Sequence, residues 1–269
     1  MCGEQYVNGE GNKKMAYHRY DFTQYFIDNS EDYNKTGRST RQIHYEAVSY
    51  HCNGLEKLLK RNHEMNYEIY YDKIRNVIQI NFQKTNGISD WFVNIFEFSD
   101  KYYDAIEFNG YKLQLKVHHG WGEMYKSVKK TIRAEWKKLI DENPDAETEI
   151  VGWSLGSGQA ILCCQDLNYN FGVKPHLITF GSVRPFASSK KDCRMLKKYL
   201  STVSKECYNF ANINDIVTYM PPFRRFSMIN RVEIGHSESR TIGRLLRPTV
   251  YHTTYDCEEL YRGIKGNAS

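Results

Sequence analysis

One stretch constrains this chain more than any other: Glu149-Ile150-Val151-Gly152-Trp153-Ser154-Leu155-Gly156-Ser157-Gly158-Gln159-Ala160. An apolar run climbs to Gly152. A serine then stands with one residue between it and a glycine on either side. A helical apolar pattern follows through Ile161, Leu162, Cys163 and Cys164. A strand that turns sharply into a helix over G-x-S-x-G is the pattern of a nucleophile elbow. The turn forces the serine into strained backbone, so a side chain at Gly152 or Gly156 would collide with neighbouring chain. The helix that starts there aims free N–H groups at any anion forming beside Ser154. The bland alternative is a Gly-rich turn holding a buried serine. The strand before it and the helix after it weigh against that.

The chain around this stretch is long enough, at 269 residues, for one α/β domain with a full core. A formal charge of +5 without a basic block gives no footprint for nucleic acid, although weak, transient attraction to an anionic membrane surface is compatible with it. Seven cysteines are scattered without metal-ligand spacing, so no zinc or other metal site is expected. Cys163 and Cys164 read as small core residues. Scattered cysteines favour a reducing compartment. The opening residues show no signal-peptide pattern, and no run of eighteen apolar residues spans a membrane. An intracellular setting is the expectation.

Strands and helices alternate along most of the chain. Residues 1–40 receive no assignment, and 41–269 read as a single domain. A helix is expected over 45–60, with Leu55, Leu58 and Leu59 inward. Residues 67–71 and 76–82 read as strands joined by a turn at Asp72-Lys73-Ile74-Arg75. Ser89 can cap a short helix with Trp91, Phe92, Ile95 and Phe96 on one side, either a packed helix or a cover over an acyl pocket. Leu113, Leu115 and Val117 alternate with polar residues as in a half-buried strand. Met124, Val128, Ile132, Trp136 and Leu139 recur with helical period. After the elbow come a strand at 176–182, a basic helix at 188–200, strands at 207–213 and 231–235, a polar loop at 236–250 and a last helix at 254–264. Such alternation predicts a mostly parallel sheet with helices on both faces.

A serine nucleophile needs a base to take its proton and a carboxylate to orient that base. In the α/β-hydrolase fold these follow in the order Ser, Asp/Glu, His, each after a strand. Asp215, at the end of the 207–213 strand, is the best acid. A turn aspartate capping its own backbone is its bland alternative. Asp166, Asp192 and Asp256 fall on helices. His176 precedes the acid and is rejected as base. His236 and His252 both remain open. An oxyanion hole needs two donors: the backbone N–H of Leu155, and a group after an early central strand, where Thr85 fits.

Five stretches in order resemble the class 3 lipase family, typified by fungal triacylglycerol lipases. Phe82-Gln83-Lys84-Thr85 with Ser89-Asp90-Trp91 and Asn94 resembles its Phe-Arg-Gly-Ser/Thr…Asp-Trp…Asn. Val117-His118-His119-Gly120-Trp121 resembles its Val-His-x-Gly-Phe. Gly152 to Gly156 resembles its Gly-His-Ser-Leu-Gly. Thr179-Phe180-Gly181-Ser182-Val183-Arg184 resembles its Thr-Phe-Gly-Ser/Ala-Pro-Arg. Asn212-Ile213-Asn214-Asp215-Ile216-Val217 with Pro221-Pro222 resembles its Asn-x-x-Asp-x-Val…Pro-Pro. The resemblance covers about residues 67–264.

The resemblance implies Ser154 as nucleophile, Asp215 as acid and Thr85 with Leu155 as oxyanion hole. It moves the base to His252, because in the family a strand follows the Pro-Pro loop and the histidine comes later. It also places a lid over 89–96, with Trp91, Phe92, Ile95 and Phe96. The departures are Trp153 for His, Ser157 for Gly, Gln83-Lys84 for Arg-Gly and Val183 for Pro. The expected activity is hydrolysis of acylglycerol or phospholipid esters through an acyl-enzyme. It needs a lipid or other ester substrate and no metal or organic cofactor. A catalytically silent lipid- or protein-binding member, or a thioesterase or peptidase on the same framework, is the competing reading. The oligomeric state stays open.

Overall fold

Neighbouring residues of the elbow strand lie in different cores. Ile150 belongs to one apolar cluster and Val151 to another, because successive side chains of a strand point to opposite faces. The next strand repeats the split, with Leu177 in the first cluster and Ile178 in the second. The sheet is therefore covered on both sides, as near-continuous apolar strands require. The computed structural model describes residues 44–50, 63–82, 106–187, 189, 191–220, 226–227, 231–234, 251–252 and 255.

In chain order the strands and helices are β1 (His44–Tyr50), β2 (His63–Asp72), β3 (Val77–Phe82), β4 (Ile106–Phe108), β5 (Tyr111–Leu113), β6 (Lys116–Val117), α1 (His119–Glu142), β7 (Glu147–Trp153), α2 (Leu155–Phe171), β8 (His176–Phe180), β9 (Phe186–Ala187), α3 (Cys193–Leu200), β10 (Glu206–Asn212), a 3₁₀ turn (Ile216–Tyr219), β11 (Phe226–Ser227) and β12 (Arg231–Ile234). The main sheet has the order β1-β2-β3-β7-β8-β10-β12. β3, β7, β8, β10 and β12 run parallel, while β1 and β2 add antiparallel strands at one edge. The parallel crossovers carry α1, α2 and α3. This is an α/β-hydrolase fold with a mostly parallel central sheet flanked by helices.

α1 turns the expected apolar stripe inward. Met124, Val128, Ile132, Trp136 and Leu139 are all buried, and such side chains each contribute about 1.5–3 kcal/mol by burial. Trp136 also donates its indole N–H to Thr148 Oγ1 of β7 at 2.9 Å, anchoring the helix to the elbow strand. Asn143 caps its end. Cys163 and Cys164 are wholly buried in α2, and burial pushes both thiols well above their ordinary values. They pack as small core residues.

Several boundaries differ from the sequence expectation. Residues 44–50 form β1, paired along its length with β2, instead of the start of a helix. The helical spacing came from Leu55, Leu58 and Leu59, which lie outside the described residues. The strand itself carries Tyr45, Val48 and Tyr50, residues of high strand propensity. The alternation at 113–117 keeps its burial pattern but splits. Leu113 ends a hairpin with β4, and Lys116–Val117 pairs with β9 in a separate three-stranded sheet. α3 starts at Cys193, and α2 runs on to Phe171, where Gly172 closes it with a left-handed φ of 69°. Of the last helix expected at 254–264 only Tyr255 is described, and the loop at 236–250 lies outside the described residues.

Candidate active site

β7 ends at Trp153 and α2 begins at Leu155, so Ser154 alone makes the turn. Its φ of 58° and ψ of −122° are backbone angles that a non-glycine residue keeps only when its surroundings enforce them. The enforcement is visible. The Ser154 N–H donates to the Phe180 carbonyl at 2.9 Å, and the Ser154 carbonyl accepts the Ser157 N–H at 3.1 Å. The Ser157 hydroxyl donates to that same carbonyl. Gly152 supplies the room: a Cβ there would lie 2.5 Å from the Gly156 carbonyl oxygen and 2.7 Å from both Ala160 Cβ and Ser157 Cα.

The Ser154 hydroxyl makes no capping bond to α2. It faces His252 instead, with Oγ 2.7 Å from Nε2. The other ring nitrogen, Nδ1, lies 2.7 Å from Asp215 Oδ2. A proton on Nδ1, donated to this carboxylate, leaves Nε2 to accept from Ser154. All three residues are buried, Asp215 and His252 completely.

Asp215 follows β10 and starts the 3₁₀ turn. Its Oδ1 accepts the Val217 N–H at 2.9 Å, so it does cap its own backbone. The capping role and the contact with His252 use different oxygens, so the two readings of this residue are compatible. Tyr255 donates its hydroxyl to Asp215 Oδ2 at 2.7 Å and accepts the Asn212 N–H at 2.9 Å. Tyr255 is not among the site residues expected from the sequence. A polar tip on a buried aromatic is the signal that pointed further.

Gly181 completes the pocket around the imidazole. Its φ is +58°, and a Cβ there would come within 2.9 Å of His252 Cε1 and Tyr255 Cε2. Tyr251 and His252 have helical backbone. Leu155 is the first residue of α2, so its N–H has no intrahelical acceptor. Thr85, the lid residues Trp91, Phe92, Ile95 and Phe96, and the competing base His236 lie outside the described residues. Phe82, the last residue of β3, pairs with Gly152. Among the described residues no cluster of His, Cys, Asp and Glu could hold a metal ion, and no helix is long and apolar enough to cross a membrane.

The family model described as Lipase (class 3) matches residues 79–225. No curated protein sequence matches the chain. Among solved structures, a lipase from Rhizopus microsporus var. chinensis superposes with a TM-score of 0.58 at 18% identity, over 83% of this chain and 71% of that one. The triacylglyceride lipase of Rhizomucor miehei gives 0.56 at 16% identity, over 85% and 82%. A triacylglycerol lipase whose catalytic centre is formed by a serine protease triad gives 0.57 at 17% identity, over 85% and 81%.

Proposed function

The chain belongs to the class 3 lipase family, and from that premise we propose that it is a serine carboxylester hydrolase acting on acylglycerol or phospholipid esters. One observation carries the reading. A single buried imidazole stands 2.7 Å from a serine hydroxyl and 2.7 Å from a carboxylate, although these groups are 98 and 37 residues away in the chain. Residues so far apart in sequence converge in the hydrogen-bonding order that base catalysis needs.

In this reading Ser154 Oγ attacks the ester carbonyl while Nε2 of His252 takes its proton. Asp215 holds the ring and stabilises its charged form. The N–H of Leu155, with Thr85, receives the developing oxyanion. His252 then returns the proton to the leaving alcohol. Water, activated by the same ring, releases the acyl group from Ser154. Residues 41–269 act as one domain in this proposal, and 89–96 as an apolar cover that opens at a lipid surface.

The test compares Ser154→Ala, His252→Ala and His236→Ala on one soluble short-chain ester, with folding checked by circular dichroism. Loss of a triad member costs several orders of magnitude, about 10⁴–10⁶ in kcat. Ser154→Ala and His252→Ala are expected to fall in that range and His236→Ala to keep most activity. Residual turnover within tenfold of wild type in Ser154→Ala would exclude it as nucleophile. Failure of a fluorophosphonate to label Ser154 in folded protein would favour the silent, lipid-binding reading.

A further inference from the structure

Two guanidinium groups share one tyrosine ring at the edge of the sheet that carries Ser154. Arg184 lies in the loop after β8, and Arg231 opens β12. Arg231 Cζ is 4.5 Å from the centroid of the Tyr219 ring and Arg184 Cζ is 5.6 Å from it. The cluster is tied to the triad. Arg231 Nη1 donates to Thr218 Oγ1 at 2.9 Å, and the Thr218 hydroxyl donates to the Asp215 carbonyl at 2.8 Å. The Arg184 N–H donates to the Met220 carbonyl at 3.0 Å. Arg184 and Tyr219 sit on loops that leave the carboxyl ends of β8 and β10, the edge where open α/β sheets bind ligands.

Among the described residues, one exposed carboxylate faces the pair. Arg231 Nε meets Glu233 Oε1 at 3.1 Å, and the Glu233 side chain is 57% exposed. Among the described residues, the buried Arg231 Nη2 and Arg184 Nε meet no acceptor. Among the described residues, the charges acting on Arg184 are Arg231, which repels it, and the Tyr219 hydroxyl. No carboxylate is among them, and burial together with Arg231 lowers its pKa. A half-buried guanidinium beside a second cation, with unused donors, is costly unless an anion completes it. Tyr219 is 39% exposed, so the ring that both cations flank is open to solvent. Donors arriving from separate side chains suit a phosphate, whose several oxygens can serve both forks at once.

We propose that Arg184 and Arg231, arrayed on Tyr219, form a cradle for the phosphate of a glycerophospholipid whose acyl ester is presented to Ser154. This rests on the ester-hydrolase reading above and specifies its substrate class. The chemistry remains hydrolysis. The acyl C–O bond breaks, water supplies hydroxyl to the acid and a proton to the glycerol oxygen, and the phosphate leaves unchanged on the lysolipid.

The experiment measures kcat/KM for dioctanoyl phosphatidic acid and for dioctanoylglycerol, and follows their ratio. In Arg184→Gln the ratio is expected to fall about tenfold or more, the worth of a charge-assisted hydrogen bond. Arg184→Lys keeps the charge without the fork and should recover part of it. Glu233→Gln, at an exposed position, should raise the ratio. An unchanged ratio in both Arg184→Gln and Glu233→Gln overturns the cradle. A second arm titrates glycerol 3-phosphate and inorganic phosphate into Ser154→Ala protein by calorimetry. Binding of glycerol 3-phosphate that Arg184→Gln weakens supports the cradle, and absence of binding overturns it. Binding of inorganic phosphate with an unchanged ester ratio overturns the lipid assignment. Phosphate binding without hydrolysis of either ester would sink the hydrolase reading and leave the cradle. Hydrolysis with an unchanged ratio would do the opposite.

Discussion

The two departures at Ser157 and Val183 form one hydrogen bond, and breaking it should show that they depend on each other. The Val183 N–H donates to Ser157 Oγ at 3.2 Å, and the Ser157 hydroxyl donates to the Ser154 carbonyl. Glycine at 157 would remove the acceptor, and proline at 183, which has no N–H, would remove the donor. Ser157 and Val183 are both 0% exposed, so no water replaces the lost partner. Ser157→Ala therefore strands a buried N–H, at a cost of about 1–3 kcal/mol. The Ser154 carbonyl keeps the Ser157 N–H at 3.1 Å, so its own loss adds little. About 2 kcal/mol corresponds to a drop in Tm of about 4–8 °C for a domain of this size. The assay is urea unfolding of wild type, Ser157→Gly, Val183→Pro and the double variant, with thermal melts alongside. The double variant should be destabilised by about 1 kcal/mol less than the sum of the single changes, because either substitution already deletes the bond. Additivity within about 0.5 kcal/mol, the range for uncoupled sites, would refute the reasoning.

Other outcomes follow from the same geometry. Gly152→Ala should cost about 3 kcal/mol or more through overpacking against backbone, measured as loss of folded yield and unfolding free energy; a well-folded active variant would show that the elbow relaxes. Tyr255→Phe leaves the Asn212 N–H buried without its acceptor and Asp215 Oδ2 without one donor, so it should lose about 1–3 kcal/mol of stability, with a lower kcat and little change in KM on a soluble ester. Phe92→Ser with Phe96→Ser should impair hydrolysis of emulsified esters more than of soluble short-chain esters; equal losses on both would leave 89–96 a packed helix.

The parts of the fold that were legible in sequence are those governed by local pattern. The apolar recurrence from Met124 to Leu139 and the run into Gly152 are properties of single elements. The structure keeps both, because burial of the same side chains selects the same periods. Residues 44–50 were misread because their partner is β2 and not their own neighbours. Strand pairing is non-local, so a helical spacing beyond residue 50 outweighed the strand formers within it. The 113–117 alternation shows the converse. Its burial period was readable, but the division between two small sheets depends on contacts with β4 and β9 that no local pattern announces.

Ser154 and Asp215 could be placed because each follows a strand whose end the sequence marks. His252 could not be separated from His236 by residues alone, since the path of 236–250 is not written in a period. Gly181 was legible only as part of a motif, and Tyr255 not as a site residue. What they do follows from packing: the bare face of Gly181 lets the imidazole approach, and the Tyr255 hydroxyl ties the Asn212 N–H at the end of β10 to the oxygen that also meets His252. Gly181 follows β8 and the Tyr255 hydroxyl reaches the end of β10, so both act on the same ring at neighbouring strand ends. Phe180 stacks on Phe210 at 5.4 Å, and the Gly181 N–H donates to the Phe210 carbonyl at 3.0 Å. The seam between β8 and β10 is thus what sets where His252 can stand. Phe210→Leu, in the buried core beneath this seam, should shift the imidazole and lower kcat on a soluble ester while the urea unfolding midpoint shows the chain still folded; unchanged kcat in a destabilised variant would refute the role of the seam.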